Sequence, residues 1–175
     1  MGFFLGFITA VCLKDMMREY VRSSKYHRDI EKLRELLSKV TDEQKLNILQ
    51  QTKSEKDRTA LHAAERIADA EVITTILSSL QSSDRLKLLM MKDYWMFTPL
   101  HAAAWRGHTE SVKAILNSLT ADQQMQLLTA EDLYGKTAVE WASGETADVL
   151  SEYKNRAREK VEPGEFLMSC HVPKY

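Results

Sequence analysis

Cysteine is scarce in this sequence. The 175 residues include only Cys12 and Cys170, near opposite ends of the chain. Neither belongs to a Cys-x-x-Cys pair or to a Cys/His cluster with the spacing of zinc ligands. We therefore expect neither a disulfide framework nor a structural zinc site. Scarce cysteine is typical of a reducing compartment, and a cytoplasmic location is predicted.

A surplus of charge of one sign is also absent. Lys and Arg number 24 and Asp and Glu number 25, which gives a net charge of −1. No global field attracts the chain to nucleic acid, so no nucleic-acid partner is expected. With 44% hydrophobic and 28% charged residues, the composition is typical of a folded soluble protein, and the length suits one domain or a short repeat array.

Long apolar runs are missing apart from residues 1–13, MGFFLGFITAVCL, which carry no charge. This run is shorter than the ~20 residues of a membrane-spanning helix, and no basic residue precedes it as in a secretory signal. Gly6 stands where a myristoylation motif requires Ser or Thr. We interpret the run as an apolar segment that covers one end of the fold. Membrane contact, aided by the basic residues that follow, and a cleaved leader are the alternatives.

The strongest signal is an internal repeat. Three segments align: RTALHAAERIADAEVITTIL from Arg58, FTPLHAAAWRGHTESVKAIL from Phe97, and KTAVEWASGETADVL from Lys136. Their threonines, Thr59, Thr98 and Thr137, are spaced by 39 residues both times. Equal spacing of this kind indicates stacked copies of one structural unit.

Each unit is predicted to hold three helices. The first begins at the threonine, the second carries one pair of apolar residues, and the third carries another such pair within residues 42–51, 82–91 or 121–130. Thr98 followed by Pro99 is a strong helix start, because the hydroxyl accepts a free N–H and proline lacks one. Gly107 allows a tight turn between the first two helices.

The segment TPLHAA from Thr98, followed by RGHTESVK from Arg106, resembles an ankyrin repeat. Asp93 and Asp132 each lie five residues before the threonine, as the finger loop of that family expects, and Gly135 matches its glycine. The resemblance covers about residues 29–153. It implies an all-α, ankyrin-like helical repeat solenoid of about three to four units with short finger loops. The usual period is about 33 residues, so the extra residues are assigned to the third helix.

The predicted organisation has four parts. Residues 1–13 form the apolar N-terminal segment, and 14–53 form a degenerate opening repeat. Residues 54–160 form the recognisable ankyrin-like repeats, and 161–175 form a flexible tail.

The resemblance implies structural roles for the histidines. His62 and His101 occupy the histidine of the family motif, whose ring hydrogen-bonds within the repeat and orders the finger. The structural motif residues are Thr59, His62, Thr98, Pro99, His101, Gly107 and Thr137. No carboxylate or cysteine stands at ligand spacing, and no nucleophile, base and orienting group converge. A non-enzymatic protein without metal or cofactor is therefore expected.

The positions that the repeat leaves free are unusually aromatic. In such a stack the fingers and the outer positions of the first helices form a concave surface. Tyr, Trp and Arg often anchor protein interfaces. The predicted binding residues are Tyr94, Trp95, Phe97, Trp105 and Arg106 in the central unit, with Arg58, Arg66, Tyr134 and Lys136 on its neighbours. Met96, on the same finger, is a further free position.

The orientation of the aromatic side chains is the open question. Trp95, Met96 and Phe97 could instead fold inward against the adjacent finger. Trp141 matches Ala102 in register and is expected in the core.

The resemblance implies a scaffold or adaptor that binds an unidentified protein partner. The alternatives are a membrane-tethered ankyrin protein that uses residues 1–13, and a fragment of a longer array.

Overall fold

The computed structural model describes residues 30–50, 59–66 and 68–161. This part of the chain contains ten α-helices, no strand and one isolated β-bridge, between Glu131 and Thr137. The helices are α1 (Ile30–Ser38), α2 (Asp42–Gln50), α3 (Ala60–Arg66), α4 (Ala70–Ser78), α5 (Ser82–Leu89), α6 (Pro99–Arg106), α7 (Thr109–Asn117), α8 (Ala121–Leu128), α9 (Ala138–Trp141) and α10 (Gly144–Val161).

Several predicted segments lie outside the described residues. They are the apolar residues 1–13, the start of the predicted opening repeat at 14–29, and residues 162–175 of the predicted tail. Within the described ranges, no helix combines the length and the apolar character needed to cross a membrane.

The helices pack in three rows, one for each helix of the repeating unit. The first helices α3, α6 and α9 lie side by side, the second helices α1, α4, α7 and α10 form a row behind them, and the third helices α2, α5 and α8 form another. The prediction of an all-α, ankyrin-like solenoid with three helices per unit is confirmed.

Packing between units stabilises these helices, because each of α1 to α9 has nine residues or fewer and would be unstable alone. The core is a continuous set of buried aliphatic side chains at repeating positions. It includes Leu61, Leu100, Ile76, Ile115, Leu88 and Leu127. Ala103 and Ala104 are buried on α6, where small side chains let the first helices approach closely.

The third helices account for the lengthened period. At the start of α8, Gln123 Oε1 accepts the N–H of Thr120 at 3.2 Å while Thr120 Oγ1 accepts the N–H of Gln123 at 3.4 Å. The row is also joined from unit to unit. Gln81 Nε2 donates to Asp42 Oδ2 at 3.2 Å, and Arg85 Nη1 donates to the carbonyl oxygen of Ser118 at 3.1 Å. The extra residues therefore form a helix that binds each unit to the next.

Helix α10 closes the described array. It has 18 residues, whereas the other described second helices have nine, and it packs against both α7 and α8. Leu150 and Ala157 are buried in this contact, and Tyr153 Oη donates to Asn117 Oδ1 at 2.6 Å. The last unit thus continues its second helix where the earlier units turn into a third.

Candidate protein-binding surface

The first finger, residues 93–97, is folded around one carboxylate. Asp93 Oδ1 accepts the backbone N–H groups of Trp95 at 2.9 Å and Phe97 at 3.0 Å. The N–H of Met96 donates to the carbonyl oxygen of Asp93 at 2.8 Å. A short acidic side chain can satisfy the backbone of a tight turn in this way, so the finger has a defined shape.

The second finger, residues 132–136, repeats this arrangement. Asp132 Oδ1 accepts the N–H groups of Tyr134 at 2.8 Å and Lys136 at 2.9 Å, and its Oδ2 accepts Trp141 Nε1–H at 2.6 Å. Burial acts to raise the pKa of Asp132, but the hydrogen bonds from Lys136, Trp141 and Tyr134 outweigh it and hold the pKa below its usual 3.8. The carboxylate is ionised at neutral pH.

A buried histidine attaches the second finger to the first helix of the central unit. His101 Nδ1 accepts from the N–H of Thr98 at 3.3 Å and lies 2.8 Å from the Thr98 hydroxyl. Since Nδ1 accepts an N–H, the ring proton is on Nε2, which donates to the carbonyl oxygen of Lys136 at 3.1 Å. Burial lowers the pKa of His101, despite the opposing effect of the bond to Lys136.

His62 holds the first finger by the same contacts. Its Nδ1 lies 3.2 Å from the backbone nitrogen and 2.9 Å from the hydroxyl of Thr59, and its Nε2 lies 2.8 Å from the carbonyl oxygen of Phe97. The histidines are therefore tied to backbone groups of the fingers. No group of three or more His, Cys, Asp or Glu residues in the described ranges could hold a metal ion.

The other motif residues lie at helix ends. Pro99 opens α6 after Thr98, and Gly107 ends that helix with a left-handed φ of 71°. In the next unit Glu140 replaces the histidine, and its Oε2 accepts the N–H of Thr137 at 2.7 Å and the hydroxyl at 2.9 Å. The bond from the Thr137 N–H lowers the pKa of Glu140.

The predicted binding residues divide by exposure. Tyr94, Trp105 and Tyr134 are exposed by 69%, 57% and 66%, and Lys136 is exposed as well. Trp95, Phe97 and Arg106 are half-buried. Arg58 and the side chain of Arg66 lie outside the described residues.

Four rings, two on the fingers and two on α6 and α9, form a connected set, which we call the aromatic strip: Trp105, Phe97, Trp141 and Tyr134. The ring centroids are 6.5 Å apart between Trp105 and Phe97, 5.5 Å between Phe97 and Trp141, and 6.4 Å between Trp141 and Tyr134. Two cations lie on its tryptophans, Arg106 at 5.6 Å from the Trp105 centroid and Lys136 at 4.7 Å from that of Trp141. The strip therefore combines apolar area with positive charge.

The expectation that Trp141 lies in the core is wrong. Its helical register matches Ala102, which is buried, but Trp141 is only half-buried. An indole is much larger than a methyl group, and here it extends to the second finger, where its N–H reaches Asp132. Side-chain size and this polar contact place the ring in the strip.

Two exposed fingertip residues were absent from the predicted binding set. Met96 is 42% exposed, so the alternative in which it folds inward is wrong, and Leu133 is 62% exposed. The N–H of Leu133 donates to the carbonyl oxygen of Trp95 at 3.3 Å, which joins the two fingertips. In the 39-residue register Met96 takes the place of Gly135 and Leu133 that of Tyr94, so both are free finger positions of the repeat.

Comparison with known proteins identifies the central unit. None of the curated proteins compared with the chain matches it. The sequence model of a family described as ankyrin repeat matches residues 96–126, from the tip of the first finger into α8. The central unit therefore resembles an ankyrin repeat, and the all-helical fold of the described residues is consistent with an ankyrin-like repeat array.

Proposed function

We propose that this chain is a non-enzymatic scaffold or adaptor that binds a partner protein on the two described fingers, residues 93–97 and 132–136, and the adjoining end of α6. Ankyrin repeats are in general interaction modules without chemistry of their own. The observation that supports this surface is the distribution of exposed large hydrophobic residues. Within the described ranges these are Val161 and five residues of the fingers and α6: Tyr94, Met96, Trp105, Leu133 and Tyr134.

The clustering of these side chains distinguishes them from ordinary surface residues. Single exposed hydrophobics are normal, but a contiguous set is typical of interaction sites. Aromatic side chains in addition contribute a large contact area with few rotatable bonds, which suits them as anchors of an interface.

The rigidity of the fingers supports the same proposal. Each finger is held by two backbone bonds to an aspartate, and each is tied to the preceding first helix by a histidine. Binding to a preformed surface loses little conformational entropy, so more of the contact energy is available as affinity.

The test replaces three exposed rings together, Tyr94→Ala, Trp105→Ala and Tyr134→Ala. The control is Val161→Ala, which removes an exposed hydrophobic side chain from the far end of α10. Circular dichroism and thermal melts establish that both proteins stay folded. Affinity purification with mass spectrometry should then show the partner lost from the triple variant and retained by the control. An identical set of partners for both variants would refute this surface.

A further inference from the structure

We propose that Met96 is a reversible oxidation site, and that its sulfoxide releases the partner from the surface formed by the fingers. This inference rests on the proposed function and specifies how binding at that surface is regulated. The exposure of Met96, the backbone bonds that hold it and its place among apolar side chains support it.

Met96 is the most exposed of the four methionines in the described part of the chain. Its exposed fraction is 42%, whereas Met90, Met91 and Met125 are half-buried, and the first two of these pack against the core. Oxidation requires that a dissolved oxidant reach the sulfur, so the rate follows exposure. Among these methionines, Met96 should therefore react first.

The first finger holds the backbone of Met96 without using its thioether. The N–H of Met96 donates to the carbonyl oxygen of Asp93 at 2.8 Å, and the N–H groups of Trp95 and Phe97 donate to Asp93 Oδ1 at 2.9 and 3.0 Å. An oxygen added to the sulfur breaks none of these bonds. The finger should keep its shape when Met96 is oxidised.

The backbone angle of Met96 indicates that its side chain serves something other than the fold. Its φ of 61° is left-handed, and the matching Gly135 of the second finger has a φ of 70°. Glycine adopts such an angle without strain, so the fold alone favours glycine over methionine at this position. Strained residues of this kind are concentrated at binding sites and switches.

Met96 lies where the two fingertips meet. The carbonyl oxygen of Trp95, the preceding residue, accepts the N–H of Leu133 at 3.3 Å, and Leu133 and Tyr94 are both exposed. Oxidation turns the apolar thioether into a polar sulfoxide. A partner that covers the fingertips would have to desolvate this oxygen, which costs free energy unless the partner supplies a hydrogen-bond donor. Oxidation therefore weakens binding and leaves the fold intact.

The oxidant is a hydroperoxide, and the reaction is a two-electron oxygen transfer. The sulfur attacks one peroxide oxygen, the S–O bond forms and the O–O bond breaks. The proton of the transferred oxygen passes to the departing oxygen, which leaves as water when the oxidant is hydrogen peroxide. In the reverse reaction, methionine sulfoxide reductase takes two electrons from a dithiol, and the products are the thioether, a disulfide and water.

The experiment treats the full chain with hydrogen peroxide and follows each sulfoxide with time by peptide mass spectrometry. The binding probe is the protein that the parent captures and the triple variant Tyr94→Ala, Trp105→Ala, Tyr134→Ala loses. Capture is quantified before oxidation, after oxidation, and after treatment with methionine sulfoxide reductase and dithiothreitol. Thermal melts of each sample establish whether it stays folded.

Three single variants complete the test. Met96→Leu removes the sulfur, and leucine, like methionine, is unbranched at Cβ, so the backbone strain is retained. Met91→Leu is the matched control, because it removes a half-buried sulfur five residues earlier by the same conservative change. Met96→Gln imitates the polarity of the sulfoxide without any oxidant.

We expect sulfoxide to form at Met96 at least about twofold faster than at Met90, Met91 or Met125. The oxidised parent should melt at an unchanged temperature, capture about tenfold less of the probe, and recover after reduction. Peroxide should affect Met91→Leu in the same way and leave Met96→Leu unaffected. Met96→Gln should capture little of the probe from the start.

Faster oxidation of another described methionine, or a lowered melting temperature of the oxidised parent, would overturn the switch. The same holds if oxidised Met96→Leu loses the probe as the parent does. Unchanged capture by a parent fully oxidised at Met96, with the probe still absent from the triple variant, would overturn the switch and leave the proposed function standing. A triple variant that captures every protein the parent does would refute the proposed function and the switch with it.

Discussion

Met96 and Gly135 hold the same backbone conformation at the tips of successive fingers, although only one of them is a glycine. Their φ angles are 61° and 70°, and they are 39 residues apart. A side chain at such an angle crowds the backbone and costs about 1–2 kcal/mol. Strain of this kind is concentrated at functional sites, where the side chain is needed for another purpose. Met96 is exposed, which fits a role in binding.

Met96→Gly should therefore raise the free energy of unfolding by up to about 1 kcal/mol. Relief of backbone strain stabilises the folded state by more than the greater flexibility of glycine stabilises the unfolded state. Urea denaturation measures this change. The same variant should bind the partner more weakly, because the exposed thioether is removed.

The matched control is Gly135→Ala. A Cβ at Gly135 would meet nothing within 4 Å, so the loss of about 1 kcal/mol expected there reflects φ alone. If Met96→Gly instead lowered stability, the interpretation of Met96 as a strained residue would be wrong.

Asp132→Asn should loosen the second finger. One oxygen of Asp132 accepts two backbone N–H groups and the other accepts Trp141 Nε1–H. Asparagine has a single acceptor oxygen, so its NH₂ group must face an N–H in either orientation. We expect a loss of about 1–3 kcal/mol in the free energy of unfolding, measured by urea denaturation.

A double-mutant cycle with Trp141→Phe isolates the side-chain part of this loss. The phenyl ring has no N–H, so Asp132→Asn should be less damaging in that background, with a coupling energy of about 0.5–3 kcal/mol. Additive effects would show that the contact between Asp132 and Trp141 contributes nothing to stability.

The fold was predictable because local and global signals agree. The motif threonines recur every 39 residues and the apolar pairs recur with them, and each has a physical cause that acts within a few residues. The third helix could be placed because Thr120 and Gln123 mark its start.

The exposure of the finger side chains was less predictable, because it depends on contacts with residues that are distant in the sequence. Phe97 is half-buried since its ring contacts those of His101 on α6 and Trp141 on α9, which belong to successive units. Trp141 is drawn outward by a polar contact that its register with Ala102 does not reveal. Met96 occupies a left-handed position that glycine normally takes, and only the backbone angle shows this.

Thr98→Val should destabilise the central unit by about 1–2 kcal/mol. The buried hydroxyl accepts the N–H of His101 at 3.4 Å and lies 2.8 Å from its Nδ1, and valine keeps the volume but removes both contacts. Thermal denaturation measures the loss. Thr74→Val makes the same chemical change at an exposed position of α4 and should stay within about 0.5 kcal/mol. Equal effects at the two positions would contradict a special role for the Thr98 cap.

Acid should weaken the attachment of the second finger through His101. Burial lowers the pKa of this histidine below its usual 6.5, so the unfolded chain binds the proton more readily than the folded chain. The stability that the neutral ring contributes is complete above about pH 6.5 and declines as the pH falls from there toward the lowered pKa. Protonation of Nδ1 would place its proton against the N–H of Thr98, which now donates to it.

Urea denaturation at a series of pH values between about 5 and 7.5 measures this decline, in a range above the usual pKa of the carboxylates. His101→Gln should be less stable than the parent at the upper end, because glutamine cannot reach both Thr98 and the carbonyl oxygen of Lys136, and its stability should fall less steeply with pH. A parent whose stability is constant across this range, or a variant with an unchanged slope, would show that His101 does not bind the finger in its neutral form.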